Sequence, residues 1–190
     1  MLNTLLRIVV LFALPVVAGA HSVDEASLSF AAGLAHPLTG LDHLLAMIAV
    51  GVWAGYLGRR ASLTLPMAFP LAMLCGAALA NMGVALPAIE PAIAASAVCL
   101  GLLIALRVDV NVIAASALVG AFAVFHGYAH ASEAPAVAQI AYGIGFIAST
   151  VALHLSGLWL AAKLFRRVPR AVAWAGAAVS IAGVALLLAQ

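Results

Sequence analysis

Long apolar stretches alternate with short polar breaks along most of the chain. Each stretch is close to the length of about 20 residues that an α-helix needs to cross a hydrocarbon core of about 30 Å. Lipid offers the backbone no hydrogen bonds, so separate apolar segments can cross it only as helices. The pattern therefore predicts an all-α fold, a polytopic membrane helix bundle of about six transmembrane helices. The predicted spans are 37–57, 64–83, 88–106, 111–129, 137–162 and 171–189.

The first residues have the pattern of a targeting segment. Arg7 is followed by the apolar run 8–17, and the sequence Ala-Gly-Ala at 18–20 supplies the small residues of a signal-peptidase site. We therefore predict a cleaved signal peptide at 1–20 and a single six-helix transmembrane domain at 21–190. The alternative is an uncleaved first helix.

A helix is also expected to begin just after the cleavage site. Ser22 and Glu25 have the spacing of a capping box, which starts helices. A straight helix from Ser22 to Leu57 would be about 54 Å long, which exceeds the thickness of the bilayer. We therefore predict a bend or break near Pro37 and Gly40.

The composition agrees with a chain surrounded by lipid. Hydrophobic residues make up 67% of the sequence and charged residues 7%, whereas a soluble domain carries about 25% charged residues. We expect the lipid bilayer as a partner and no nucleic acid. Cys75 and Cys99 lie in apolar runs without C-x-x-C spacing, so they are interpreted as buried apolar residues rather than as a thiolate site.

The basic residues predict the orientation of the chain. If the mature N-terminus lies outside, every Lys and Arg falls on the cytoplasmic side, which is the positive-inside bias. The residues concerned are Arg7, Arg59, Arg60, Arg107, Lys163, Arg166, Arg167 and Arg170. We predict a protein of the bacterial inner membrane with a periplasmic mature N-terminus.

The first span contains a cluster of ionisable residues, which are costly in lipid and therefore suggest a function. His36 and His43 are seven residues apart, so both imidazoles would share one face of a continuous helix. Asp42 is either a metal ligand itself or a carboxylate that orients a neighbouring imidazole.

A second cluster lies at the end of the fourth predicted span. His126, His130 and Glu133 follow i, i+4, i+7 spacing, and two imidazoles with a carboxylate make a metal-binding face. The predicted topology places both clusters in the outer half of the membrane. Imidazole and carboxylate ligands suit borderline divalent ions such as Ni²⁺, Co²⁺ and Zn²⁺, and the residues leave the choice among them open.

Three further residues are weaker candidates for metal ligands. His21, as the mature N-terminus, would offer an α-amine beside an imidazole, or would be an ordinary frayed terminus. Glu90 opens the third span, where a carboxylate is also favoured by the helix dipole. His154 lies deeper in the fifth span, where an interhelical hydrogen bond is the competing interpretation.

The two motifs resemble the signatures of the HupE/UreJ family of nickel permeases. His36, Asp42 and His43 form H-x5-D-H, and residues 125–133 form F-H-G-x-A-H-x-x-E. The resemblance covers essentially the whole chain. One departure is Ala131, where the family usually has glycine. The resemblance implies that the transport residues are His36, Asp42, His43, His126, His130 and Glu133.

The function implied by this resemblance is uptake of Ni²⁺, or Co²⁺, for the maturation of hydrogenase or urease, whose machinery would be a partner. Ni²⁺ would be the transported ion, and no prosthetic group is expected. The sequence has no G-x-x-x-x-G-K-[ST] loop, so transport would be passive, ion-coupled or driven by a separate partner. The membrane potential favours entry of a divalent cation, so we expect energy-independent facilitation. We expect a transporter and not an enzyme. The alternatives are a zinc-dependent intramembrane hydrolase and a metal-sensing membrane subunit, and the oligomeric state is left open.

Overall fold

The computed structural model describes residues 25–133 and 139–189, and within them the regular secondary structure is helical. Seven helices follow one another in this described part of the chain. They are α1 (Glu25–Thr39), α2 (Leu41–Leu57), α3 (Arg59–Asn81), α4 (Ile89–Ala105), α5 (Val112–Glu133), α6 (Gln139–Arg167) and α7 (Pro169–Leu188). The predicted signal peptide and His21 lie outside the described residues.

The long helices form a membrane bundle, as the sequence predicts. Helices α3, α5, α6 and α7 are each long and apolar enough to cross a bilayer, and α1 and α2 meet the same test as a bent pair. Helix α4 is apolar but shorter, at 17 residues. Each of the six predicted apolar stretches thus overlaps a helix, and α2 and α4, at 17 residues each, are the shortest apart from α1.

The predicted break in the first span is confirmed at Gly40, where α1 and α2 meet at an angle of 80°. Pro37 lies inside the last turn of α1. The expectation that His36 and His43 share one face of a continuous helix is therefore wrong. The two residues lie on different helices, and the bend rather than helical periodicity brings their side chains together.

Glycines allow several pairs of helices to approach until their backbones touch. A Cβ atom on Gly127 of α5 would overlap the Met73 carbonyl of α3, and one on Gly76 of α3 would overlap the Val124 carbonyl of α5. Such close approach at small residues is how helices associate in lipid, where no hydrophobic driving force remains between them. Reciprocal contacts of the same kind join α2 to α6, at Gly51 and Gly157.

The two ends of the bundle differ in chemistry. The described basic residues lie where α2 meets α3, α4 meets α5 and α6 meets α7, most of them in the adjoining turns of the helices, and we call this side the basic end. There the Tyr56 hydroxyl donates to the Arg107 carbonyl (2.7 Å) and the Trp53 indole N–H donates to the Val108 carbonyl (3.2 Å). These two bonds fix the α4–α5 loop against the end of α2.

The cysteines differ from the sequence-based expectation. Cys75 is exposed on the surface of α3, and Cys99 is half-buried on α4. The prediction that both are buried is therefore wrong for Cys75. An apolar residue on a lipid-facing surface need not be covered by protein, because the lipid itself is apolar.

Candidate metal site

Four imidazoles from three helices meet at the end of the bundle opposite the basic end. His36 comes from α1, His43 from α2, and His126 and His130 from α5; we call these four the histidine cluster. The ring centroids of His36 and His43 are 5.8 Å apart, and those of His36 and His130 are 4.8 Å apart. His43 lies 5.1 Å from His126 and 4.6 Å from His130. The structure thus joins the two sequence motifs, about ninety residues apart, in one place.

The Asp42 carboxylate holds the His43 side chain. Its Oδ1 atom lies 2.7 Å from Nδ1 of His43 and also accepts the His43 backbone N–H at 2.8 Å. The carboxylate favours a proton on Nδ1, which leaves the lone pair on Nε2. That Nε2 atom is buried and has no hydrogen-bond partner within the described residues. Asp42 was predicted to be either a metal ligand or a carboxylate that orients an imidazole, and this geometry matches the second role.

Gly40 leaves room for this carboxylate–imidazole pair. A Cβ atom at Gly40 would lie 3.0 Å from both Asp42 Oδ1 and His43 Nδ1. The residue at which the first span breaks is therefore also the residue that makes space for the side chains following the break.

His126 is held in the same way by a backbone group. Its Nδ1 lies 2.9 Å from the Phe122 carbonyl, which can only accept a hydrogen bond, so the proton is assigned to Nδ1. Its Nε2 is buried and, among the described residues, has no partner. The His43 and His126 rings stand at 82° to each other. The site therefore contains two neighbouring imidazoles whose Nε2 lone pairs are buried and unused.

Aromatic side chains that the sequence analysis missed enclose the histidine cluster. The Phe146 ring of α6 lies 3.9 Å from that of His130, and Tyr142 lies 6.0 Å from His36. Phe69 of α3 lies 5.3 Å from His126. The signal available in the sequence was the i, i+4 spacing of Tyr142 and Phe146 on one face of α6, but that spacing is also typical of ordinary core residues.

A cavity of about 300 Å³ lies beside His130 between α3, α5 and α6. Its walls are mostly apolar, with Asn81 and Gln139 among the polar lining residues. The Gln139 amide donates to Asn81 Oδ1 at 3.1 Å and to the Ala131 carbonyl at 3.0 Å. Ala131, the departure from the family motif, lines the same cavity and is accommodated there.

The remaining predicted ligands lie apart from the four rings or beyond the described side chains. Glu133 is the last residue of α5, and its side chain lies outside the described part, as does all of His21. Glu90 is exposed in the first turn of α4. His154 is fully buried in α6, with its ring 5.2 Å from that of Phe69.

The cluster gathers donors without forming a finished coordination sphere. Within residues 25–133 and 139–189, no three His, Cys, Asp or Glu side chains are arranged to hold a metal ion as they stand. The assignment of these residues as ligands therefore stays a prediction.

Comparison with known proteins identifies relatives of the chain. The family model described as HupE / UreJ protein matches residues 9–186. Protein HupE of Rhizobium leguminosarum bv. viciae is 45% identical over 178 residues, which is 93% of each chain. No solved structure matches.

Proposed function

The chain belongs to the HupE/UreJ family, and from this premise we propose that it carries a divalent transition-metal ion, Ni²⁺ or Co²⁺, across the membrane. The observation that carries the proposal is the pair of buried Nε2 atoms on His43 and His126, whose Nδ1 atoms are already occupied. Neutral imidazole nitrogen is a preferred ligand of borderline divalent ions.

The proposed ligands are the rings of the histidine cluster, with Asp42 supplying negative charge beside them. Imidazole nitrogens bind zinc at about 2.0–2.1 Å, and ions of similar size would require comparable distances. Rotation of the rings about their side-chain torsions would bring several nitrogens to one ion. We propose Glu133 and Glu90 as acidic residues that the ion meets on its way to the cluster, and His21 as a ligand at the mature N-terminus.

The orientation proposed for the bundle places the histidine cluster on the periplasmic side of the inner membrane. The basic end would then face the cytoplasm, as the positive-inside rule requires. Trp159 and Trp174 are exposed one turn from Lys163 and Arg170 respectively, where an aromatic belt at a membrane interface would lie. The cavity beside His130 would open towards the periplasm and serve as the entrance.

The membrane potential is sufficient to drive entry in this orientation. A divalent cation gains about 4.6 kcal/mol per 100 mV on moving to the negative side, twice the value for a single charge. We therefore propose energy-independent facilitation that supplies metal for the maturation of hydrogenase or urease. Transport, rather than hydrolysis of a substrate or sensing of metal, is the function we favour.

The test is uptake of ⁶³Ni²⁺ into sealed liposomes that contain the purified protein. Wild type is compared with His43→Ala and His130→Ala at matched insertion. Ser156→Ala is the control, because Ser156 is exposed on α6 and donates only to the Ala152 carbonyl of its own helix. We expect saturable uptake by wild type and by the control, and at least about a tenfold loss in both histidine variants.

The same preparations distinguish the alternatives. Tight Ni²⁺ binding without uptake by wild type would contradict transport and favour a sensor. Metal-dependent turnover of a lipid or peptide, again without uptake, would favour a hydrolase.

A further inference from the structure

Helix α6 continues the polar and aromatic lining of the site deeper into the bundle. Tyr142, Phe146, Thr150 and His154 recur every four residues, so they lie along one stripe of the helix. All four are buried. Tyr142 and Phe146 contact rings of the histidine cluster, whereas His154 lies eight residues further on, about 12 Å along the helix axis towards the basic end.

The deeper half of this stripe contains polar atoms that have no hydrogen bonds. Both ring nitrogens of His154 and the Thr150 hydroxyl are buried and unpaired within the described residues, and both residues have zero exposure. Unpaired polar groups are costly in a membrane interior and indicate a functional site.

The aromatic side chain of Phe69 contacts both His154 and the His126 ring of the histidine cluster. The Phe69 ring is 5.3 Å from that of His126 and 5.2 Å from that of His154, and it meets both in edge-to-face geometry. Phe69 is fully buried and lies near the middle of α3. Phe69 therefore connects the His126 ring to the His154 ring through two direct ring contacts.

The same region of α3 provides a backbone oxygen. Pro66 and Pro70 both lie inside the helix, four residues apart. Pro70 has no N–H, so the Pro66 carbonyl has no intrahelical donor. This carbonyl lies next to the His154 ring. Backbone carbonyls that lack a helical donor, in unwound helix segments, coordinate ions in other membrane transporters.

We propose that His154, the Thr150 hydroxyl and the Pro66 carbonyl form a second cation site, an inner site that Phe69 separates from the histidine cluster. One imidazole nitrogen with two neutral oxygens binds a divalent ion more weakly than several imidazoles do. Weak binding suits a site that must release its ion onward. The proposal rests on the proposed function, because it describes the next position of the same ion.

The test measures binding and transport separately. His154→Leu removes both ring nitrogens and keeps a similar volume, and Thr150→Val removes only the hydroxyl. We expect His154→Leu to lower ⁶³Ni²⁺ uptake into liposomes at least about tenfold. Ni²⁺ affinity of the detergent-solubilised protein, measured by calorimetry, should change less than about twofold, since the histidine cluster is intact. Thr150→Val should lower uptake several-fold with unchanged affinity, and Ser156→Ala should match wild type.

Each outcome decides the question. Wild-type uptake by His154→Leu would overturn the inner site while leaving the proposed function in place. If His154→Leu fails to fold, Thr150→Val decides, and normal uptake by that variant would overturn the inner site. If folded His154→Leu loses both its affinity for Ni²⁺ and its uptake, His154 stabilises the histidine cluster instead. That result would also overturn the inner site. Absence of uptake by wild type, by contrast, is a failure of the proposed function.

Discussion

At the scale of single residues, the site depends on what occupies the second nitrogen of each imidazole. Asp42 holds Nδ1 of His43, and the Phe122 carbonyl holds Nδ1 of His126. In both rings the lone pair is thereby directed to Nε2. The negative charge of the carboxylate also attracts a cation bound beside it, and an uncharged backbone carbonyl supplies less of this attraction. Of the two proposed ligands, His43 should therefore be the stronger.

The Asp42 carboxylate gives a direct prediction. Asp42→Asn keeps the shape of the side chain but removes the negative charge that orients and polarises His43. Loss of such a supporting carboxylate typically weakens metal affinity about 10- to 100-fold. We expect a reduction of this size in the apparent affinity for Ni²⁺, measured as the concentration that gives half-maximal uptake.

The control for this variant is Asp109→Asn. Asp109 is exposed in the α4–α5 loop at the basic end, away from the histidine cluster. Its substitution should leave uptake unchanged. An Asp42→Asn protein with wild-type affinity would show that the carboxylate neither orients His43 nor binds the ion.

At the scale of helices, the contact between α3 and α5 determines where Phe69 stands relative to His126. The two helices touch through Gly76 and Gly127, and a methyl group at either position would overlap the backbone of the other helix. No rotamer change can relieve an overlap with a carbonyl, so the helices themselves must separate.

Gly76→Ala is therefore expected to destabilise the protein, although alanine is the better helix former by about 1 kcal/mol. Forced overpacking typically costs about 1–3 kcal/mol in the free energy of unfolding, so the net effect is a lower melting temperature in detergent. Gly120→Ala is the matched control on α5, since a Cβ there meets only the Ala72 methyl at 3.6 Å. It should leave the melting temperature unchanged or raise it. Equal stability of the two variants would contradict the close contact of α3 and α5.

The sequence predicts the helices well because lipid imposes one requirement on every span. A long apolar run has to form a helix, and Gly40 and Pro37 mark the break in the first one. The apolar pattern does not show which helices pack against one another. The assembly of His36 with His130, and the position of Phe69 between His126 and His154, depend on glycine contacts between distant helices.

One component of the inner site, the Pro66 carbonyl, could have been predicted from the sequence. Pro66 and Pro70 are four residues apart in one span, which means that the Pro66 carbonyl must lack its helical donor. This much follows from the sequence alone. The sequence does not show which side chain lies next to that carbonyl, because His154 comes from a helix more than eighty residues further along the chain.

At the scale of the whole molecule, the difference between the two ends of the bundle would set the direction of the proposed transport. The histidine cluster and the cavity beside His130 are at one end, and the basic loops are at the other. If the basic end faces the cytoplasm, the ion binds first on the side from which the membrane potential draws it inward. The reverse orientation would make the same structure an exit path working against that potential.

The orientation can be tested with single cysteines in a background in which Cys75 and Cys99 are replaced by alanine. Val84→Cys lies in the exposed loop between α3 and α4, at the histidine end, and Lys163→Cys lies on an exposed position of α6 at the basic end. A membrane-impermeant maleimide should label Val84→Cys in intact cells and Lys163→Cys only after lysis, because positively charged loops remain in the cytoplasm during insertion. The opposite labelling would place the histidine cluster on the cytoplasmic side. Uptake would then require the ion to pass His154 before it reaches His43, so the order of the two sites would be reversed.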